Sequence, residues 1–131
     1  MTRAVTFVIP KELWLTSNRH TTNRPARARI VRTIHELAFA TARRADLEQF
    51  GNGPVRADWT IRYPKGVSWT HGDAANAQPT TKALLDGMVP RWLNEDGPLI
   101  VVAETFRRGP NLDRKSDHEI TLVLTPQNVP F

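Results

Sequence analysis

The chain is predicted to form one α+β domain, in which a mixed or mostly antiparallel sheet of about four strands packs with two helices. Its 131 residues and 40% apolar content suit a single domain with its own core. Alternating apolar residues over 55–63 and 118–124 predict half-buried strands, while an apolar stripe over 30–38 has helical spacing. The predicted order is β-α-β-α-β-β, and the single domain spans 1–131.

The N-terminal third is predicted to contain a strand and a basic helix. The β-branched segment 3–9 ends at Pro10 and favours a strand. A polar loop follows over 11–25, in which Trp14 is expected to pack in the core rather than stack on a base. The helix begins at Pro25 with Thr22 or Asn23 as its cap, and ends before the GNGP break at 51–54.

The second helix is predicted from Pro79, because proline suits the first turn of a helix. Its Leu84, Leu85 and Met88 fall on one face and are expected to enter the core. Asp73 lies in the turn that leads into this helix. Strands over 99–106 and 118–124 follow, and the tail 125–131 is expected to be loose.

Composition and motifs exclude several classes of protein. The chain has no cysteine, so disulfides and thiolate zinc sites are excluded. No apolar run approaches the length of about 18 residues that a membrane span needs, and no secretory signal is recognisable, so a cytoplasmic protein with no membrane partner is expected. P-loop, GxGxxG, GxSxG and HExxH motifs are absent, and the four histidines share no metal-binding spacing.

Positive charge is concentrated near the N-terminus. Residues 1–44 contain nine Lys or Arg and two acids, a net +7, whereas residues 45–131 have a net charge of −2. A basic arm of this kind indicates a polyanionic partner, with nucleic acid the leading candidate, although solvated arginines on a helix would give the same composition. The candidate phosphate-binding residues are Asn18, Arg19, His20, Arg24, Arg27, Arg29, Arg32 and Asn76.

Acidic residues flank the second predicted helix. Asp73 precedes it and Glu95 and Asp96 follow it, a plausible arrangement for binding a divalent cation through carboxylate oxygens. Lys82 could then stabilise charge on a phosphate. The alternative is structural: Asp73 is a turn residue, Lys82 pairs with Asp86 one helical turn away, and the acid pair lies in a solvated loop.

These segments resemble the RusA-like Holliday junction resolvases, small endonucleases common in phages and prophages. The family pattern is an Asp-x-Asp-Asn turn, a helix with a lysine and a Lys-Ala-x-x-Asp-Gly-like segment, and a following acid cluster. The corresponding segments here are 73–76 (DAAN), 79–87 (PTTKALLDG) and 92–96 (WLNED). An early strand, an Asn/Arg/His-rich loop, a basic helix and two closing strands extend the likeness over most of the chain.

The resemblance implies a homodimeric, Mg²⁺-dependent endonuclease that cuts four-way DNA junctions, with Mn²⁺ as a possible substitute. Asp73 and Asp96 would bind the metal, with Glu95 as an alternative to Asp96, and Lys82 would be the helix lysine of the active site. It also implies a bacterial host cytoplasm, where a phage-encoded member would act in recombination, replication, repair or packaging.

One position departs from the family pattern. The second aspartate of the turn is Ala75 here, which removes a carboxylate that could bind metal. Either Asp73, Asp96 and a further acid (Glu95, Asp86 or Glu104) suffice, or the protein binds branched DNA with little or no cleavage. A third interpretation is a basic protein-interaction domain with no nucleic-acid partner.

Overall fold

The computed structural model describes residues 1–16, 23–51, 53–68, 70, 72–94 and 100–127. The order of its strands and helices confirms the predicted α+β class and the β-α-β-α-β-β sequence of elements. Two short 3-10 helices are also present: Lys11–Leu13 forms the start of the predicted polar loop, and Ala74–Ala77 precedes the second helix. The main elements are β1 (Ala4–Pro10), α1 (Arg24–Arg44), β2 (Val55–Arg62), α2 (Gln78–Gly87), β3 (Val101–Arg108) and β4 (Asp117–Pro126).

The four strands form one mixed sheet in the order β1-β4-β2-β3. Strand β4 is antiparallel to both β1 and β2, whereas β2 and β3 are parallel. A parallel pair needs a crossover connection, and α2 lies on that connection. The turn that contains Asp73 therefore lies between the inner strand β2 and α2, and its 3-10 helix packs against the edge strand β3.

The predicted strand faces are confirmed by burial. The alternate residues of β2 from Val55 to Ile61 are at most 1% exposed, and those of β4 from Ile120 to Leu124 are fully buried. Helix α1 buries Ile34, Ala38 and Ala42, and the predicted Ile30 and Leu37 are partly buried against the core, so the predicted stripe is present and extends one turn further. Helix α2 buries the predicted Leu84, Leu85 and Met88.

The predicted loose tail is wrong at its start. Strand β4 continues to Pro126, because Thr125 pairs with Arg56 and Pro126 with Val55 of β2. The Gln127 N–H then donates to the Pro54 carbonyl at 2.9 Å. Residues 128–131 lie outside the described residues. The tail prediction missed this pairing because a strand partner about 70 residues away leaves no local signal in the sequence.

The two helices are fixed by one cap and one close approach. Asn23 caps α1, as predicted, by accepting a hydrogen bond from the Ala26 N–H at 3.0 Å. Where α2 crosses α1, a Cβ added at Gly87 would lie 2.7 Å from the His35 carbonyl oxygen and 3.0 Å from the Ala38 Cβ. No helix in the described ranges is long and apolar enough to cross a membrane.

Candidate functional site

Asp73 occupies the turn position that the sequence predicts, at the start of the 3-10 helix Ala74–Ala77. Its side chain accepts a hydrogen bond from the Ala75 N–H at 3.0 Å, and its carbonyl accepts one from the Asn76 N–H at 3.2 Å. These are the contacts of a turn residue. The side chain is nevertheless exposed, and its second carboxylate oxygen makes no hydrogen bond to any described residue. One oxygen thus remains available to a ligand.

A cluster of three rings, those of Tyr63, Trp14 and His118, holds this turn in place. The Tyr63 hydroxyl donates to the Asp73 carbonyl at 2.8 Å. Burial raises the pKa of Tyr63; nearby Arg108 opposes the rise and Asp73 adds to it, so the hydroxyl stays protonated and remains a donor. The Tyr63 ring contacts Trp14 and His118, and these two rings stack 3.8 Å apart and nearly parallel. Trp14 is therefore a packing residue, as predicted.

Arg108 closes the other side of the turn and was not identified from the sequence. Its guanidinium lies 4.7 Å from the Tyr63 ring centre and donates to the carbonyls of Gly72 and Val67 and to the Asn111 side chain. A Cβ at Gly72 would lie 1.6 Å from Arg108 Nη1, so a larger residue there would have to displace the guanidinium. Because Arg108 comes from β3, no local pattern in the sequence could have shown this contact.

The cleft above these groups has a volume of about 430 Å³. It is lined by Thr70, Gly72, Asp73, Ala74 and Arg108. The volume lies within the range of about 300–1,000 Å³ that is usual for small-ligand sites. The cleft therefore places an exposed carboxylate, which can bind a cation, beside a wall that includes Arg108, whose guanidinium already donates to acceptors within the protein.

Lys82 lies on α2 and forms the helix pair that the structural alternative predicts. Its Nζ lies 3.0 Å from Asp86 Oδ1, with the two side chains 55% and 37% exposed. Within 73–87 the exposed residues are Asp73, Ala75, Gln78 and Lys82. An exposed ion pair of this kind contributes only about 0.3–0.5 kcal/mol. This ion pair by itself therefore holds the lysine only weakly.

The other acids do not complete a metal site within the described residues. Glu95 and Asp96 lie outside the described residues, as does His71, so the pairing of Asp73 with either acid stays a prediction. Glu104 accepts a hydrogen bond from Trp59 Nε1 at 2.8 Å. In the ranges that the structure covers, no three His, Asp or Glu side chains are close enough to hold one metal ion.

The candidate phosphate-binding arginines divide into two sets. Arg24, Arg27 and Arg32 line one groove of about 440 Å³ along α1, together with Ala28, Val31 and His35. Arg29 is exposed but does not line it. None of these four arginines forms an ion pair with a described residue. Asn18, Arg19 and His20 lie outside the described residues.

A buried threonine links the basic arm to the acidic turn. Thr80, in the first turn of α2, accepts a hydrogen bond from the Leu15 N–H at 2.9 Å and donates to the Leu15 carbonyl at 2.7 Å. Thr80 is fully buried. The segment that leads towards α1 is therefore fixed against the first turn of α2, so the two candidate sites belong to one connected unit.

Comparison with protein-family models found no match, and comparison with curated proteins found no similar sequence. The likeness to RusA-like resolvases therefore rests on the motif residues themselves.

Proposed function

We propose that this protein is a structure-selective DNA endonuclease that cuts four-way junctions by Mg²⁺-dependent phosphodiester hydrolysis. The observation that carries the proposal is the state of Asp73. Two hydrogen bonds and the Tyr63 hydroxyl fix its turn, yet one carboxylate oxygen makes no hydrogen bond to a described residue, in a cleft that Arg108 also lines. Exposed cations on the neighbouring helices supply partners for the phosphates of DNA.

The residues of this chain can hold a magnesium ion with few protein ligands. Mg²⁺ usually keeps several waters and binds one or two carboxylates together with substrate phosphate oxygens. Asp73 offers one such oxygen, and Asp96 or Glu95 would offer the second. Bound there, the ion would activate a water molecule and stabilise the leaving oxygen.

The protein groups around Asp73 would position the substrate. Arg24, Arg27 and Arg32 would hold phosphates along α1, and Lys82 would leave Asp86 to contact a phosphate near the cleavage point. Such contacts release counterions, so binding would weaken steeply as salt rises. A homodimer would place two such sites about a twofold axis, which suits paired nicks in a near-symmetric junction.

A junction cleavage assay tests this proposal. Wild-type protein is expected to nick a labelled synthetic four-way junction when Mg²⁺ or Mn²⁺ is present. Asp73→Asn should abolish nicking while junction binding is kept or tightened, because a negative charge near phosphate is removed. Asp113→Asn, which makes the same charge change at an exposed acid on another turn, is the matched control. Nicking that survives Asp73→Asn would refute the assigned site.

The second candidate is a junction-binding protein that cleaves poorly, and Ala75 favours it. Ala75 is exposed next to Asp73, where the family pattern has a second aspartate. On this alternative, the wild type binds junctions tightly without nicking, and Asp73→Asn changes nothing. Ala75→Asp adds the missing carboxylate at a position with room for it, so it should create or increase nicking if the remaining residues are competent.

A further inference from the structure

The C-terminal half of α1 carries one aromatic side chain, Phe39, that is exposed at the surface. Phe39 is 39% exposed, and it is the one aromatic ring among the exposed large apolar side chains of the described ranges. Its ring packs edge-on against Trp92, with ring centres 5.1 Å apart. The Arg91 guanidinium lies 5.8 Å from the Phe39 ring centre and 5.4 Å from that of Trp92. The exposed ring of Phe39 thus packs against the buried ring of Trp92 and lies near the guanidinium of Arg91.

A cleft of about 340 Å³ is lined by Trp92 and Arg91, the two residues whose side chains lie against this ring, although Phe39 itself does not line it. Its apolar floor is formed by Ala42, Leu47 and Trp92, all at most 3% exposed. Arg43 and Arg91 stand on its rim. We call this cleft together with the adjoining Phe39 ring the Phe39 cleft. Its volume suits a small planar group, since ligand sites begin at about 300 Å³.

The Phe39 cleft has a net positive charge. Neither Arg43 nor Arg91 forms an ion pair with a described residue, and the Arg91 guanidinium lies near the two aromatic rings. The acid that lines the cleft, Asp46, is 77% exposed and lies 3.3 Å from the N-terminal ammonium of Met1. Gln49 adds an exposed amide that can donate and accept hydrogen bonds. The occupant should therefore be anionic, with an apolar flat face and polar edges.

The charge and the size of the Phe39 cleft decide between a second copy of this chain, another protein and a nucleotide as its occupant. A second copy of this chain, packed about a twofold axis, would bring the cationic rims of the two clefts together. A stable protein partner needs about 800 Å² of surface with an apolar centre, whereas the exposed apolar groups here are mainly Phe39 and Met1. A nucleotide has a base that stacks on one ring and a phosphate that one or two arginines can hold.

We infer that the Phe39 cleft binds an unpaired nucleotide of DNA, with its base stacked on Phe39 and its phosphate held by Arg43 and Arg91. This inference rests on the proposed DNA function and adds to it a preference for substrates with unpaired bases, such as an opened junction centre or a single-stranded arm. It uses residues separate from Asp73, so it can be tested without cleavage.

The test compares two single-stranded oligonucleotides of equal length and charge, a fluorescent oligo-dT and its abasic counterpart, by anisotropy at one salt concentration. Wild type is expected to bind oligo-dT at least about 5-fold more tightly, the lower end of what stacking of one base supplies. Phe39→Tyr should keep this ratio. Phe39→Leu should bring it close to one while leaving the affinity for the abasic strand unchanged.

Two further variants complete the test. Arg43→Ala should weaken binding of both strands, because it removes a phosphate contact. Val8→Ala truncates another exposed apolar side chain, on β1, and should change neither affinity. Thermal melting checks that Phe39→Leu is folded. If it is unfolded, the inference is tested by two other measurements: the ratio of the wild-type affinities for the two strands, and the binding of both strands by Arg43→Ala.

Four results would overturn the inference. Equal affinity of the wild type for the two strands means that bases are not stacked, although DNA binding through phosphates, and with it the proposed function, would survive. A ratio that Phe39→Leu leaves unchanged places stacking elsewhere. An Arg43→Ala variant that binds both strands normally places the phosphate contact elsewhere. Absence of binding to either strand and to a four-way junction refutes the inference together with the proposed function.

Discussion

His118 should make the protein lose stability as the pH falls below 6.5. This side chain is 7% exposed, lies on β4 and stacks on Trp14, with Tyr63 at its edge. Burial, helped by the positive charge of Lys11 and opposed by Asp117, lowers the pKa of His118 from 6.5 to about 4. The folded protein therefore keeps the imidazole neutral at neutral pH.

The sign and the size of the effect follow from this difference. Between pH 6.5 and about 4 the unfolded chain binds a proton that the folded protein does not, so acid favours unfolding. The stabilisation is complete above pH 6.5 and is lost as the pH falls towards 4. At 1.36 kcal/mol for each pH unit, the loss is about 3 kcal/mol. Asp58 and Asp117 have lowered pKa values, so their contributions are lost only below about 3.8.

Urea unfolding at a series of pH values from 7.5 to 4 measures the effect, with the free energy of unfolding as the readout. His118→Phe keeps a stacked ring but removes the titrating group, so its stability should change much less over this range. Parallel pH curves for the wild type and His118→Phe would refute the reasoning. They would mean that a protonated imidazole is tolerated between the rings of Trp14 and Tyr63, as a cation against aromatic faces would be.

Two changes of buried contacts between elements test the packing that connects the candidate sites. Thr80→Val should lower the free energy of unfolding, measured in urea, by about 2–4 kcal/mol. The reason is that it removes the hydroxyl that pairs with the buried N–H and carbonyl of Leu15. The control Thr80→Ser keeps the hydroxyl and should destabilise the protein far less. Gly87→Ala should destabilise by about 1–3 kcal/mol despite the better helix propensity of alanine, because its Cβ would meet the His35 backbone. A neutral Gly87→Ala would show that α1 and α2 can separate at little cost.

The elements could be predicted because each has a local pattern. The alternation of apolar and polar residues along 55–63 predicted that β2 has one buried face, and Trp59 and Ile61 are buried on that face. Asn23 was predictable as a cap because its side chain acts within three residues of its own position. The extension of the buried stripe of α1 to Ala42 was not predicted, since the depth to which each residue is buried depends on the elements packed against α1, such as α2 at Gly87.

The candidate site was predictable only in part, for a similar reason. Asp73 was found because an acid before a helix-starting proline is a local signal. Arg108, Gly72 and Thr80 were missed because their roles are contacts between segments up to 65 residues apart. Gly72 lies close to Arg108, which comes from another strand. In the sequence alone it looks like any other loop glycine.

If the proposed function is right, the rigidity of the Asp73 turn bears on whether the site can bind metal with alanine at position 75. A metal site with few protein ligands gains affinity when those ligands are held in place before binding, since less ordering remains to be done. Here Tyr63, Arg108 and the cap to Ala75 fix the position of Asp73 without using its second oxygen. Restoring an acid at Ala75 should therefore tighten metal binding with little change in the turn. Replacing Tyr63 by phenylalanine, which releases the Asp73 carbonyl, should weaken metal binding while every carboxylate is kept. Opposite effects of these two variants on the Mg²⁺ concentration needed for nicking would identify the turn as the metal-binding element, whereas an unchanged Mg²⁺ requirement in both would place the metal elsewhere.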